Sequence, residues 1–120
     1  MSGPVLTEDD IRARLSKDLP HWRLVDGVIE RIYATHGWKG TLMAVNAIGH
    51  LAEAAWHHPD LLVSYPSVTV RLHTHDAGGV TEKDMALAQK IEEVVMWRPA
   101  PGSALEGTPA DPAYAYIRYE

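Results

Sequence analysis

The chain of 120 residues contains no cysteine and no phenylalanine. Without thiols it forms no disulfide, offers no thiolate metal ligand and has no cysteine nucleophile. Without phenylalanine, its aromatic packing falls to 4 Trp and 5 Tyr. No apolar run approaches the roughly 20 residues that span a bilayer. The start, Met1 to Asp10, is acidic and lacks the basic beginning and apolar centre of a signal peptide. A cytoplasmic protein with no membrane contact is expected. Basic clusters are also missing, and the net charge is −5, which argues against a nucleic-acid partner read through its phosphates. There is no glycine-rich phosphate loop and no serine elbow. Gly78-Gly79 ahead of a helix is only a weak anion-site hint.

What is present fits one domain, residues 1–120, able to bury about two thirds of its unfolded surface. Thr7 caps a short helix with acids in its first turn and Ile11 and Leu15 on one stripe; Pro20 ends it. Residues 21–25 and 28–33 read as strands around Asp26-Gly27, a pair suited to a two-residue hairpin turn. From Trp38 to His57, Leu42, Val45, Ile48, Ala52 and Ala55 recur at helical spacing. Gly40 and Gly49 lower helix propensity there, which points to close helix–sheet approach. Pro59 disfavours the helical conformation at His58 and sets the end near His57. A strand over 61–65 and a Pro66-Ser67 turn follow. Residues 67–75 alternate, with Val68, Val70, Leu72 and Thr74 on one face and Thr69, Arg71, His73 and His75 on the other. Residues 81–96 read as a helix, 99–112 as a Pro/Gly-rich surface loop and 113–119 as an extra edge strand. The order α-β-β-α-β-β-α with that last strand predicts an α+β fold. Its core is an antiparallel four-stranded sheet with three helices packed on one face.

Four of the seven histidines crowd into residues 53–84: His57, His58, His73 and His75. Glu53 and His57, four apart, share a helix face, where a carboxylate can orient an imidazole; the plain reading is a solvated pair. A histidine at a helix end is well explained by free carbonyls. Two adjacent ones project in different directions and can grip opposite edges of a planar ligand. His73 and His75 lie about 7 Å apart by strand rise. The plain reading is exposed sheet residues; the spacing also suits a metal, with Glu53, Asp60 and Asp76 as further donors. Thr81 to Asp84 forms a capping box, and the functional reading has Asp84 orient an imidazole.

Glu53-x-x-x-His57-His58-Pro59, with Tyr65, His75 and Gly79-Val80-Thr81-Glu82-Lys83-Asp84 at their spacings, resembles the pterin-4a-carbinolamine dehydratases (4a-hydroxytetrahydrobiopterin dehydratases). The resemblance covers more than thirty contiguous residues. It implies a hydro-lyase that removes water from a 4a-hydroxytetrahydropterin to give the quinonoid dihydropterin. That step serves tetrahydrobiopterin recycling, with a functional link to an aromatic amino acid hydroxylase. It also implies a homodimer or homotetramer and no cofactor beyond the pterin substrate itself, with no metal. The catalytic residues it implies are His57, His58 and His75, supported by Glu53 and Asp84. Substrate contacts fall on Trp56, His57, His58, Thr74, His75 and Asp76. Trp56 departs from the polar residue that several relatives carry, and the tail from Pro99 is longer than in the shortest relatives. Two alternatives stand beside this reading. One is a non-catalytic assembly or coactivator-type protein-binding module on the same fold. The other is a His/carboxylate metal enzyme.

Overall fold

The computed structural model describes residues 3–119. Its elements follow the chain as α1 (Glu8–Asp18), β1 (Arg23–Val25), β2 (Val28–Ala34), α2 (Trp38–Ala55), β3 (Asp60–Ser64), β4 (Ser67–Leu72) and α3 (Glu82–Val95). Among the described residues no helix is long and apolar enough to cross a membrane.

Local chemistry starts the first helix and the hairpin. The Thr7 hydroxyl accepts from the Asp10 backbone N–H and caps α1, with Glu8, Asp9 and Asp10 in the first turn. The hairpin turns on Asp26 and Gly27, both at positive φ (50° and 79°), as a two-residue turn of this kind demands. Four antiparallel strands run in the order β1-β2-β4-β3. Register decides which side is wet. Ile29 opposes Leu72, Arg31 opposes Val70 and Tyr33 opposes Val68, and all six side chains are buried. Side chains alternate along a strand, so Glu30, Ile32, Thr69 and Arg71 occupy the other, more open face. Ile11 and Leu15 of α1, Ala44 and Ile48 of α2, and Ala88, Ile91 and Val95 of α3 join the apolar sheet face in one core.

The predicted α+β architecture is what the chain forms, with corrections at its ends. Gly40 does sit at a close approach, but to the tail rather than to the sheet. A Cβ there would stand 2.7 Å from the Tyr116 carbonyl oxygen, whereas one at Gly49 would meet nothing within 4 Å. The expected strand over 113–119 is not formed. The segment makes a 3₁₀ turn at Pro112–Tyr114 and then a single antiparallel bridge between Ile117 and Thr35. The reason lies in the Asp111-Pro112 turn, which engages the N–H groups of Ala113, Tyr114 and Ala115 locally. The tail then meets the end of β2, donating from Arg118 N to the Ala34 carbonyl and accepting from His36 N at the Tyr116 carbonyl. Residues 100–114 are exposed, as a surface loop should be.

Candidate functional site

The site is built where α2, β4 and α3 end or begin. α2 stops at Ala55, two residues before the predicted end, because Trp56 takes a left-handed conformation (φ 50°, ψ 46°). Its N–H and that of His57 return to the carbonyls of Glu53 and Ala52. The reversal breaks the helical phase, so Glu53 does not pair with His57 as the four-residue spacing predicts. Glu53 Oε1 lies 2.7 Å from His58 Nε2, at the exposed side of the site. His57 turns the other way, into the protein. Its Nε2 lies 2.6 Å from Oδ1 of Asp84, a carboxylate with 0% exposure.

Asp84 is therefore both cap and orienting group. Its Oδ2 accepts from the Thr81 backbone N–H at 2.9 Å, which closes the capping box of α3. The same oxygen accepts from the Thr74 hydroxyl at 2.7 Å. Thr74 in turn lies 2.9 Å from the Thr81 hydroxyl. An ionised carboxylate only accepts. Beside such an acceptor, a neutral His57 carries its proton on Nε2 and leaves Nδ1 with the lone pair.

Thr74 ties the second histidine group to the first. β4 ends at Leu72, earlier than the alternation predicts, and Thr74 makes an isolated bridge to Gly79 across the His75–Gly78 turn. Its side chain is buried against Asp84, so the flanking His73 and His75 are turned outward and together. They are not spread along a strand face. His73 Nε2 and His75 Nδ1 are 3.3 Å apart, with ring centroids at 4.5 Å in an edge-on contact. Asp76 follows in the exposed turn. Trp56 stands at the outer rim, its ring edge-on to His58 with centroids 5.0 Å apart.

The implied residues thus fall into one neighbourhood, in two arms joined through Asp84 and Thr74. Spacing alone did not reveal the inward hydroxyl of Thr74 or its link to Thr81. The signal was there in the alternation, which put Thr74 on the apolar face of its strand. Among the described residues no three His, Asp or Glu side chains converge as a metal-holding group. His57 and His58 are directed to different carboxylates. A cleft of about 1,100 Å³ lies elsewhere, between the C-terminal tail and the body; His36, Trp97 and Tyr116 line it, and none of these four histidines does.

The buried Asp84 thus links His57 to Thr74, which stands between His73 and His75, and comparison with known proteins finds relatives of this chain. The family model for pterin 4 alpha carbinolamine dehydratase matches residues 4–94. A putative pterin-4-alpha-carbinolamine dehydratase of Aquifex aeolicus is 47% identical over 90 residues, covering 75% of this chain and 90% of that protein. One from Sulfurisphaera tokodaii is 41% identical over 90 residues, covering 75% and 96%. Among solved structures, a transcriptional coactivator/pterin dehydratase from Brucella melitensis superposes with a TM-score of 0.70 at 30% identity, covering 76% of this chain and 98% of that one. Residues 95–120 lie beyond the family match. The chain belongs to the pterin 4 alpha carbinolamine dehydratase family.

Proposed function

We propose that this protein is a hydro-lyase that dehydrates 4a-hydroxytetrahydropterins to quinonoid dihydropterins. The observation that carries the reading is the Asp84 bridge, which holds His57 by a 2.6 Å hydrogen bond and fixes Thr74 between His73 and His75. In the reaction the C4a–O bond breaks with its electron pair on oxygen, that oxygen takes a proton and leaves as water, and N5 loses its proton as the N5=C4a double bond forms. Nothing is oxidised or reduced, so the chemistry calls for no redox cofactor. Imidazoles titrate near neutrality and can serve either proton transfer, each contributing about 10²–10⁴-fold. In this reading His57, with Nε2–H donated to Asp84 and Nδ1 basic, works from one edge of the pterin. His75, backed by His73, works from the other. His58, steadied by Glu53, holds the ring and its hydroxyl. Tetrahydrobiopterin recycling beside an aromatic amino acid hydroxylase, in the cytoplasm, is the setting such an activity fits.

The test is the decay of enzymatically generated 4a-hydroxytetrahydropterin, followed by ultraviolet absorbance with and without the protein and with chelator present. Acceleration that survives chelation and collapses in His57→Ala and His75→Ala supports the reading. No acceleration by folded protein overturns it, and acceleration abolished by chelator moves the function to a metal enzyme.

A second reading rests on the Brucella melitensis relative, which is described as a coactivator as well as a dehydratase. Trp38, Leu42 and Met43 leave an exposed apolar patch on the first turns of α2, a surface suited to assembly as a homodimer or homotetramer or to a protein partner. Both roles are compatible on one chain, since the patch and the histidines occupy opposite ends of α2.

A further inference from the structure

Trp56 is a costly residue that the fold does not use. It is 74% exposed, more than any other large apolar side chain described, so burial gains little from it. Its backbone is left-handed, a region that disfavours bulky side chains and that asparagine or glycine enters far more readily. Among the described residues Asp26 is the one other non-glycine at positive φ, and it sits in a hairpin turn. Neither packing nor backbone preference therefore accounts for an indole at position 56. Its position does. It directly precedes His57, its ring touches the ring of His58, and that contact leaves most of the indole surface open to solvent.

Resting on the dehydratase reading above, we infer that Trp56 is a substrate-binding residue that stacks against the flat face of the fused pterin ring while the histidines address its edge. Aromatic stacking is tolerant of what hangs from the ring. Trp56 accordingly makes the site selective for a planar bicycle and permissive towards the substituent on it.

The experiment measures affinity for 7,8-dihydropterin, a flat pterin with no 4a hydroxyl to lose, together with turnover of the 4a-hydroxytetrahydropterin. The variants are Trp56→Asn, Trp56→Gly and Trp56→Phe. Removing the ring is expected to weaken dihydropterin binding about tenfold or more, and the Phe variant by no more than about threefold. KM should rise by more than kcat falls. The melting temperature of the Asn or Gly variant should equal or exceed that of the wild type, because the left-handed backbone suits both residues. Two backbone-compatible variants guard against one that misfolds. Dihydropterin affinity and KM that stay within about twofold in a folded Asn or Gly variant, well short of the stacking effect, overturn the inference. If the wild type is active and those variants match it, this inference alone fails. If the wild type neither binds dihydropterin nor accelerates dehydration, the dehydratase reading fails and this inference falls with it.

Discussion

Asp84 and His57 lie 27 positions apart in the chain and 2.6 Å apart in space, on a carboxylate that also closes the first turn of α3. The same side chain thus fixes a helix start and an imidazole tautomer. Its neighbours occupy both oxygens, so the carboxylate cannot swing to follow a moving imidazole without breaking the cap.

Asp84→Asn separates those two duties. Asparagine keeps the size but offers one acceptor oxygen and an NH₂ donor. If the oxygen stays with Thr81 N and Thr74, the NH₂ faces His57 and forces the proton onto Nδ1, removing the basic atom. Turnover should fall about 10²-fold or more, as expected when one proton transfer is lost. Chemical unfolding should show a smaller loss, about 1–3 kcal/mol, from imperfect satisfaction of buried groups. Turnover that stays near wild type would show that the tautomer of His57 is irrelevant.

His73 and His75 should divide differently. Both rings sit at the surface in mutual contact, so replacing either with alanine should shift stability by no more than about 0.5 kcal/mol. His75→Ala should lose most of the turnover. His73→Ala removes only the partner that orients His75, and a loss of about tenfold or less is expected, short of the full acid/base contribution. Steady-state kinetics beside thermal melts read both effects. Equal losses would mean that the pair acts as one unit.

The fold was legible where one rule governs each element. Thr7 with its acids, Asp26-Gly27, the Val68-Val70-Leu72 alternation and Thr81 with Asp84 all state their structure locally. The structure brings the implied residues together, but not in the pairs that spacing predicts. Spacing put Glu53 with His57, but pairing depends on where α2 stops, and a left-handed tryptophan is not something propensity foresees. His73 and His75 were spread along a strand because alternation carries no sign that Leu72 is its last residue; the bridge from Thr74 to Gly79 is a tertiary fact. The tail failed for a local reason. Alternating tyrosines have strand character, yet the Asp111-Pro112 turn takes up the N–H groups of residues 113–115 locally.

That tail provides a structural control. Ile117 is 1% exposed and joins the core from beyond the family match. Ile117→Ala should cost about 2–4 kcal/mol, in the range for truncating a buried isoleucine. The histidine site is at the far end of α2, an 18-residue helix about 27 Å long at helical rise. Turnover of the folded variant should therefore match wild type. Denaturant melts paired with activity at a temperature well below the transition provide the check. A stability change below about 0.5 kcal/mol would show that the tail peels away without disturbing the core.

Glu92 predicts how stability depends on pH. Its carboxylate accepts from Trp22 Nε1 at 3.0 Å, Arg31 Nε at 3.1 Å and Tyr33 OH at 2.7 Å. Burial pushes this carboxyl up, but the hydrogen bonds from Arg31, Tyr33 and Trp22, with the charge of Arg31, outweigh it and hold the group below the ordinary glutamate value. Tyr33 moves the opposite way: burial, then the adjacent Glu92 charge, push its hydroxyl far up, so it remains a donor. A carboxyl depressed in the folded state contributes stability that is fully present above its unfolded pKa, near 4.5, and is lost as pH falls through the folded value. Wild-type stability should therefore decline below that pH as the folded carboxylate takes up its proton. Glu92→Gln cannot titrate. It should be less stable at pH 7, because the buried Arg31 loses its counter-charge, by about 3 kcal/mol on the scale of broken buried pairs. Its remaining stability should fall less steeply than the wild type's through the acid range. Urea melts of both proteins from pH 7 down to pH 3 measure the difference. Parallel curves would place the acid-sensitive carboxylate elsewhere. A gap that narrows as pH falls would assign it to Glu92, since protonation gives the wild type the neutral side chain that glutamine already has.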